Sequence, residues 1–402
     1  MKEDFSTDNR AGKYVKLPAG YKAFIPAPLP PEPPLDINPK LLDLLSQADR
    51  ALGRLDGTAE NLPNADLFVA MYVRQEAVLS SQIEGTQASL IDILEFEASA
   101  LKRRLPSDVN EVYNYVRAMN SGLKKLDKLP LSLRLIREIH KELLQGVRGG
   151  ERTPGEFRRS QNWIGPPGCT LKEAVFVPPP VDQLPSALDD LEKFMHDPSP
   201  LPPLIKCGLV HSQFETIHPF LDGNGRIGRL LITFILCAER VLQRPLLYLS
   251  LFFKQHRDEY YGRLMAVRER GDWEGWIEFF LRGVRNVSVQ ATELAQKIIE
   301  LQRNHEELVR ARVPGSTIGL KLLEVLFRSP VVSVGQLASA LEASYPTANN
   351  IVRLFQDRGL LRELTGRQRN RLFSYQPYLS LFEEIDLRAL EAEEPVQRSL
   401  YT

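Results

Sequence analysis

Cysteine is scarce in this 402-residue chain. Cys169, Cys207 and Cys237 are odd in number and widely separated, which excludes a disulfide framework and the close ligand pairs of a structural zinc site. A reducing compartment, the cytoplasm, is therefore expected. Net charge is missing as well: 51 Lys and Arg face 51 Asp and Glu, so no global field draws the molecule toward nucleic acid or anionic lipid, and any such binding must be local. Long apolar runs are also absent. Stretches such as Leu230 to Ala238 stop well short of the ~20 residues of a membrane span, and Met1-Lys2-Glu3-Asp4 lacks the apolar core of a signal peptide, so no membrane association is expected. What remains, 43% hydrophobic and 25% charged residues, is ordinary for a folded protein, and the length suits two or three domains at ~150 residues each.

Residues 1–37 hold the run Pro26-Ala-Pro-Leu-Pro-Pro-Glu-Pro-Pro34, which reads as an extended surface tether. From Asn38, a capping residue before Pro39, helical periodicity dominates. It predicts a mainly α fold, with an N-terminal helical region over 38–125, a core over 126–290 and a connecting helix over 291–315 that ends at a hinge, Pro314-Gly315. Within the core, Gln161-Asn-Trp-Ile164 and Ala174-Val-Phe-Val177 flank Gly165-Pro-Pro-Gly168 and predict a projecting β-hairpin. Residues 316–380 read as three short helices and a terminal wing, the winged helix-turn-helix pattern, followed by an acidic tail over 381–402.

Chemistry concentrates between His218 and Arg229, His-Pro-Phe-Leu-Asp-Gly-Asn-Gly-Arg-Ile-Gly-Arg. Pro219 stops a helix, and Gly223-Asn224-Gly225 tolerates left-handed backbone, so successive N–H groups can converge into an anion-binding nest. A helix opening near Gly225 carries Arg226 and Arg229 in its first turn or so, where the dipole favours acidic groups by ~0.3–1 kcal/mol. Something anionic must offset them. Phosphates fit, with Asp222 placed to ligate the Mg2+ that accompanies a nucleotide and His218 beside them with no obvious structural duty. Singly these are common turn residues; their concentration within one short segment is what points to phosphate chemistry.

The segment resembles the signature of Fic-domain proteins, His-x-Phe-x-(Asp/Glu)-Gly-Asn-Gly-Arg-x-x-Arg, at every position. The resemblance implies a Fic-type helical bundle with a β-hairpin flap, and an adenylyltransferase that moves AMP from Mg-ATP to a Tyr, Thr or Ser hydroxyl of a target protein. By the same likeness His218 is the general base, Asp222 holds Mg2+, and Gly223, Asn224, Gly225, Arg226, Gly228 and Arg229 bind ATP. Relatives that transfer phosphate carry Lys where this chain has Gly225, which favours AMP. Asn162, Trp163 and Ile164 would belong to a flap that holds the target segment, and Tyr261, next to Tyr260, would lie near adenine. Upstream, Ser80-Ser81-Gln82-Ile83-Glu84-Gly85 resembles the family's inhibitory motif, (Ser/Thr)-x-x-x-Glu-(Gly/Asn), with Ser80 and Glu84 as its defining residues. Glu84 sits at the negative end of a predicted helix and the arginines at the positive end of another; both anomalies are explained if they pair.

Two other readings share these residues. In one the chain is a DNA-binding regulator with a nucleotide-sensing Fic domain, since residues 316–378 hold eight basic residues against four acidic ones. A helix from Pro346 would present Asn349 and Arg353, and Arg367, Arg369 and Arg371, spaced by two, would project from one face of a strand. In the other, Glu84 orients water and the site removes AMP from a modified protein. The partners expected are the target protein, DNA and a second copy of the chain.

Overall fold

Helix caps and prolines set the layout of the computed structural model, which describes residues 8–391 apart from 61, 63–64, 100–105, 167, 199 and 314–315. The predicted hinge Pro314-Gly315 lies outside the described residues. Three antiparallel strands come first: β1 (Asp8–Asn9), β2 (Gly12–Lys16) and β3 (Lys22–Pro26), with Tyr14 paired to Phe24 in the register. No strands are legible in the sequence within residues 1–37, where only the proline run stands out. Gly-Lys-Tyr-Val-Lys and Lys-Ala-Phe-Ile-Pro pair into a ribbon that buries Ala23 and Phe24, and the Phe24 N–H donates to Val177 O at 2.9 Å. Only the proline run beyond it follows the surface, anchored where Gln213 Nε2 donates to Ala27 O.

The helices that follow are α1 (Pro39–Glu60), α2 (Ala65–Ile83), α3 (Leu90–Ala98), α4 (Ser107–Leu126), α5 (Leu133–Leu143), α6 (Leu184–His196), α7 (Pro203–Ile217), α8 (Asn224–Ala238), α9 (Ser250–Gln255), α10 (Arg257–Arg270) and α11 (Trp273–Arg312). Asn38 opens α1 by accepting from the Leu41 N–H. Helix α7 is the axis of the bundle. Every residue from Leu204 to Ile217 is buried, so the helix has no polar face, and its His211, Ser212, Gln213 and Glu215 lie in the interior. Helix α11 has 40 residues, about 60 Å of unbroken helix, and is capped by the Asp272 carboxylate on the Gly275 N–H. It packs along α1 and then runs on to the C-terminal unit. Among the described residues, no helix is long and apolar enough to cross a membrane.

The C-terminal unit has the order helix, strand, helix, helix, strand, strand: α12 (Ser316–Arg328), β4 (Val331–Ser333), α13 (Val334–Ala340), α14 (Tyr345–Gln356), β5 (Arg362–Glu363) and β6 (Leu372–Ser374), with strands ordered β4-β6-β5. Ser333 and Ser344 cap α13 and α14. Arg367, Arg369 and Arg371 do not project from a strand as expected. They sit in the loop between β5 and β6, because pairing stops at Glu363, whose carboxylate accepts from Thr365 and the Gly366 N–H. The last helix, α15 (Gln376–Glu391), crosses the expected boundary at 380 and packs Phe382 against Tyr72 of α2. The remainder of the acidic tail lies outside the described residues.

Helices α4, α5 and α8 meet at Gly122, where a Cβ would stand 2.4 Å from Phe234 Cζ and 3.1 Å from Ile139 Cδ1. Gly122→Ala should therefore overpack this junction and cost about 1–3 kcal/mol, despite the better helix propensity of alanine. The check is urea unfolding of the full chain, where the midpoint should fall with the slope unchanged.

Candidate active site

The site begins where α7 ends. His218 terminates the helix in the left-handed conformation, φ 48°, strained backbone for a residue with a Cβ, and three hydrogen bonds hold it there. Its N–H donates to Phe214 O at 2.9 Å, while its carbonyl accepts from Arg158 Nε and Asn162 Nδ2, both at 3.1 Å. The following turn is stitched by Asn224, whose side chain accepts from the Phe220 N–H and donates to Phe220 O, each at 2.8 Å. Phe220 stacks face to face on His140, with ring centroids 3.7 Å apart, and His140 Nε2 bonds Asp222 O at 3.0 Å. Gly223, at φ 76°, then releases the chain into α8.

Both arginines of α8 are buried and both are paired. Arg229 donates to Ser80 Oγ (2.7 Å), Ser80 O (2.9 Å) and Glu84 Oε1 (2.7 Å). Burial alone would raise the Glu84 carboxyl, but Arg229, Arg226 and His218 outweigh it and hold Glu84 below its usual value. Arg226 donates to Glu111 Oε2 and Asp222 Oδ1, each at 3.4 Å, and Glu111 also meets Arg148 and Thr86. Burial, then Arg268 and Arg158, push the His218 imidazole down to about 3, so it is neutral at physiological pH.

The comparisons agree with this geometry. Residues 42–124 match the Fic/DOC family N-terminal domain, and residues 130–236 match the Fic/DOC family itself. The chain belongs to the Fic/DOC family. A protein adenylyltransferase Fic from Drosophila virilis is 30% identical over 49% of this chain and 38% of its own length. Its counterpart from Aedes aegypti is 28% identical over 60% of this chain and 46% of its own length. The chain thus spans less than half the length of these curated relatives. A Fic family protein from Desulfovibrio desulfuricans G20 shares the fold, with a TM-score of 0.56 and 22% identity over 85% of this chain and 97% of that one.

The Fic signature residues come together, with adjustments to what the sequence led one to expect. Of the three nest residues only Gly223 is left-handed; Asn224 is the first residue of α8 and spends its side chain on Phe220. Gly225 and Gly228 are there for space. A Cβ at 225 would stand 2.3 Å from Glu84 Oε1, and one at 228 would stand 2.3 Å from Glu215 Oε1. Asp222 keeps 34% of its side chain exposed, with Oδ1 engaged by the Gly223 N–H and Arg226. Among the described residues no group of three or more His, Cys, Asp or Glu is placed to hold a metal ion.

The predicted flap is a loop closed by one bridge, Ile164 to Phe176, rather than a full hairpin, because Pro166 and a 3-10 turn at Leu171–Glu173 interrupt the pairing. Asn162 is fastened to the signature turn, donating to His218 O and Phe220 O, while Trp163 is exposed and donates to Cys169 O. Arg268 joins flap to helix: its guanidinium lies 3.9 Å over the Phe176 ring and bonds Glu215 O and Thr216. The tyrosine pair divides. Tyr260 is buried against His211, whereas Tyr261 is exposed under the Arg257 guanidinium and lies within electrostatic reach of Glu84 and Arg229.

Three site residues escaped the sequence reading: Glu76, Glu111 and Glu215. Each is a carboxylate on a buried helix stripe, and that misfit is the signal that could have found it. Glu111→Ala should leave buried Arg226 with only the more exposed Asp222 for charge, costing up to about 3–5 kcal/mol. Urea unfolding of the full chain checks this; a loss below about 1 kcal/mol would mean that Arg226 does not depend on Glu111.

Proposed function

We propose that this chain is a protein adenylyltransferase that moves AMP from Mg-ATP to a Tyr, Thr or Ser hydroxyl of a target protein, restrained by its own Glu84. The observation that carries the reading is the ion pair, 2.7 Å long, between buried Arg229 and the partly exposed Glu84, beside a neutral His218 and the Gly223 turn. An arginine near a helix N-terminus suits an anion, and Glu84 occupies the guanidinium that a terminal phosphate would use.

In this reaction the target hydroxyl oxygen attacks the α-phosphorus and forms a new P–O bond. The bond to the bridging oxygen between α- and β-phosphorus breaks, pyrophosphate departs, and the hydroxyl proton passes to the His218 imidazole. Arg226 and Arg229 hold the departing phosphates and the α8 N-terminal N–H groups face them. Mg2+, held by Asp222 and the phosphates, would supply charge neutralisation. The loop Asn162–Ile164, tied to the His218 and Phe220 carbonyls, would align the target segment beside the base. Free thiols at Cys169, Cys207 and Cys237 suit the cytoplasm as its place of action.

Incubation with α-labelled ATP, alone and with cell lysate, followed by intact-mass analysis, tests the reading. Glu84→Gly should raise labelling by at most two to four orders of magnitude, the equivalent of the ~3–5 kcal/mol that breaking a fully buried pair would cost, a ceiling here because Glu84 is partly exposed. His218→Ala in that background should lower it ~10²–10⁴-fold with ATP binding retained. If no AMP adduct appears in Glu84→Gly, the transferase reading fails. An increased rate of AMP removal from a modified protein, lost in Glu84→Gly, would favour the reverse reaction instead.

A second reading has an observation of its own. The C-terminal unit exposes Arg353 on α14 and Arg367 and Arg369 in the β5–β6 loop, and Glu363 beside them is taken up by Thr365 and Gly366. Such an arrangement would suit a winged helix-turn-helix in contact with duplex DNA. Asn349, expected to read a base edge, instead accepts from Arg371 at 3.1 Å, so the contacts fall on phosphates. Titration of the full chain with duplex DNA over a range of salt should give binding whose salt slope falls by about two units in the Arg367→Ala, Arg369→Ala double variant. No binding at low salt would make the unit a docking module for proteins, including a second copy of the chain.

A further inference from the structure

Glu215 and His218, one turn apart at the end of α7, each bury a polar atom that has no hydrogen-bond partner: Oε1 of the carboxylate and Nδ1 of the imidazole. The other carboxylate oxygen, Oε2, stands 3.9 Å from that Nδ1, and an approach of about 1 Å would bring the two to ordinary hydrogen-bond length. The imidazole keeps 19% of its exposure although Nδ1 is buried, so the solvent-facing edge is the one that carries Nε2.

Glu215 has room only because position 228 is glycine, since a Cβ there would meet Oε1 at 2.3 Å. No ion pair holds its carboxylate within salt-bridge distance of an arginine among the described residues; Arg268 takes the main-chain carbonyl instead, at 3.0 Å. A charged side chain buried in the bundle axis without such a partner calls for a role.

We propose that Glu215 is a positioning residue that holds His218 as its Nδ1–H tautomer, leaving the lone pair of Nε2 to receive the proton of the attacking hydroxyl. The last clause rests on the adenylyl-transfer reading; the tautomer assignment does not. A carboxylate that accepts from Nδ1–H settles which ring nitrogen is the base, as the buried aspartate of a hydrolase triad does. The competing acceptor is the Glu215 carbonyl, which also faces the ring but is already bonded by Arg268.

The arrangement has a consequence for pH. Burial pushes Glu215 up to about 7 against the pull of Arg229 and Arg268, with Glu84 adding to the rise. Burial, Arg268 and Arg158 keep His218 neutral down to about 3. His211, across Gly228, is also held neutral by burial, and Tyr260 beyond it stays protonated. As pH falls through about 7, Glu215 takes up a proton and becomes a donor to Nδ1. The imidazole's single hydrogen then moves to Nε2, and the base is lost while the ring is still uncharged.

The test uses 15N-histidine-labelled full chain, with His218 assigned by its loss in His218→Ala. Wild type at pH 8 should show the Nδ1–H pattern and convert toward Nε2–H near pH 7. Glu215→Ala, and the isosteric Glu215→Gln should alanine fail to fold, should abolish that conversion. In the Glu84→Gly background the same variants should lower kcat for AMP transfer ~10-fold or more, leave KM for ATP within about twofold and flatten the acid limb. A tautomer pattern and pH course unchanged in both variants would overturn the proposal and assign the role to the main-chain carbonyl. Absence of AMP transfer in every variant would defeat only the transferase reading, since the tautomer spectra decide the role of Glu215 without it.

Discussion

One guanidinium organises the centre of this molecule. Arg229 lies near the positive end of α8, buried, where the helix dipole opposes it and burial costs several kcal/mol, so it persists only because α2 delivers Ser80 and Glu84 to it. That delivery fixes much else. Glu84 leaves no space for a side chain at Gly225. Ser80 is reached by Arg229 through both its hydroxyl and its carbonyl, which sets the axial position of α2. One turn earlier Glu76 accepts from Tyr115 of α4 and Ser250 of α9, with its carboxyl pushed up to about 7 by burial. Glu76, Ser80 and Glu84 are spaced by four and share one face, so α2 presents a polar seam to the bundle as well as its apolar stripe.

The same economy applies at the end of α7. A helix buried on every side has no solvent to satisfy polar groups, and three of its polar side chains are committed elsewhere in the bundle: His211 to Gly228 O and Tyr260, Gln213 to Ala27 O, Lys206 to Glu239. Such commitments make the backbone at His218 stiff enough to hold a left-handed conformation. The left-handed residue ends α7 and lets the chain turn at once into the loop that carries Asp222 and Gly223. Arg158 and Asn162 hold that position through the His218 carbonyl, so the loop before the flap and the signature turn form one unit.

Much of this was legible in the sequence, for definite physical reasons. Prolines, caps and 3.6-residue periodicity marked α1, α2, α11 and the C-terminal helices, and the dipole mismatch of Arg229 and Glu84 foretold their meeting. What escaped depended on tertiary partners. The β1–β3 ribbon leans on Val177 and the core, and its short strands carried no local pattern that set them apart. The flap was overread because Ile164 and Phe176 pair while their neighbours do not. Buried carboxylates such as Glu111 and Glu215 look like surface residues until the arginine and imidazole that face them are placed; Glu111 on α4 meets an arginine on the distant α8, while Glu215 stands one turn from His218 and only its place on a buried stripe marked it.

Whatever takes Glu84 off Arg229 must leave α2 where it is. Phe68, Met71, Tyr72, Val73, Ala77, Val78 and Ile83 are all buried, and α2 packs against α4, α9 and α12 as well as Phe382. Exposing the larger of these side chains costs about 1.5–3 kcal/mol each, a sum that reaches the ~5–15 kcal/mol by which a whole domain is stable. Withdrawal of the helix would therefore amount to unfolding. Glu84 itself differs from its neighbours: it follows the last helical residue, precedes Gly85 at φ 95°, and keeps 33% of its side chain exposed. Rotation about its side-chain bonds breaks one ion pair and leaves Ser80 on Arg229, so in the proposed reaction the exchange of carboxylate for phosphate at that guanidinium would be a local event within a rigid frame.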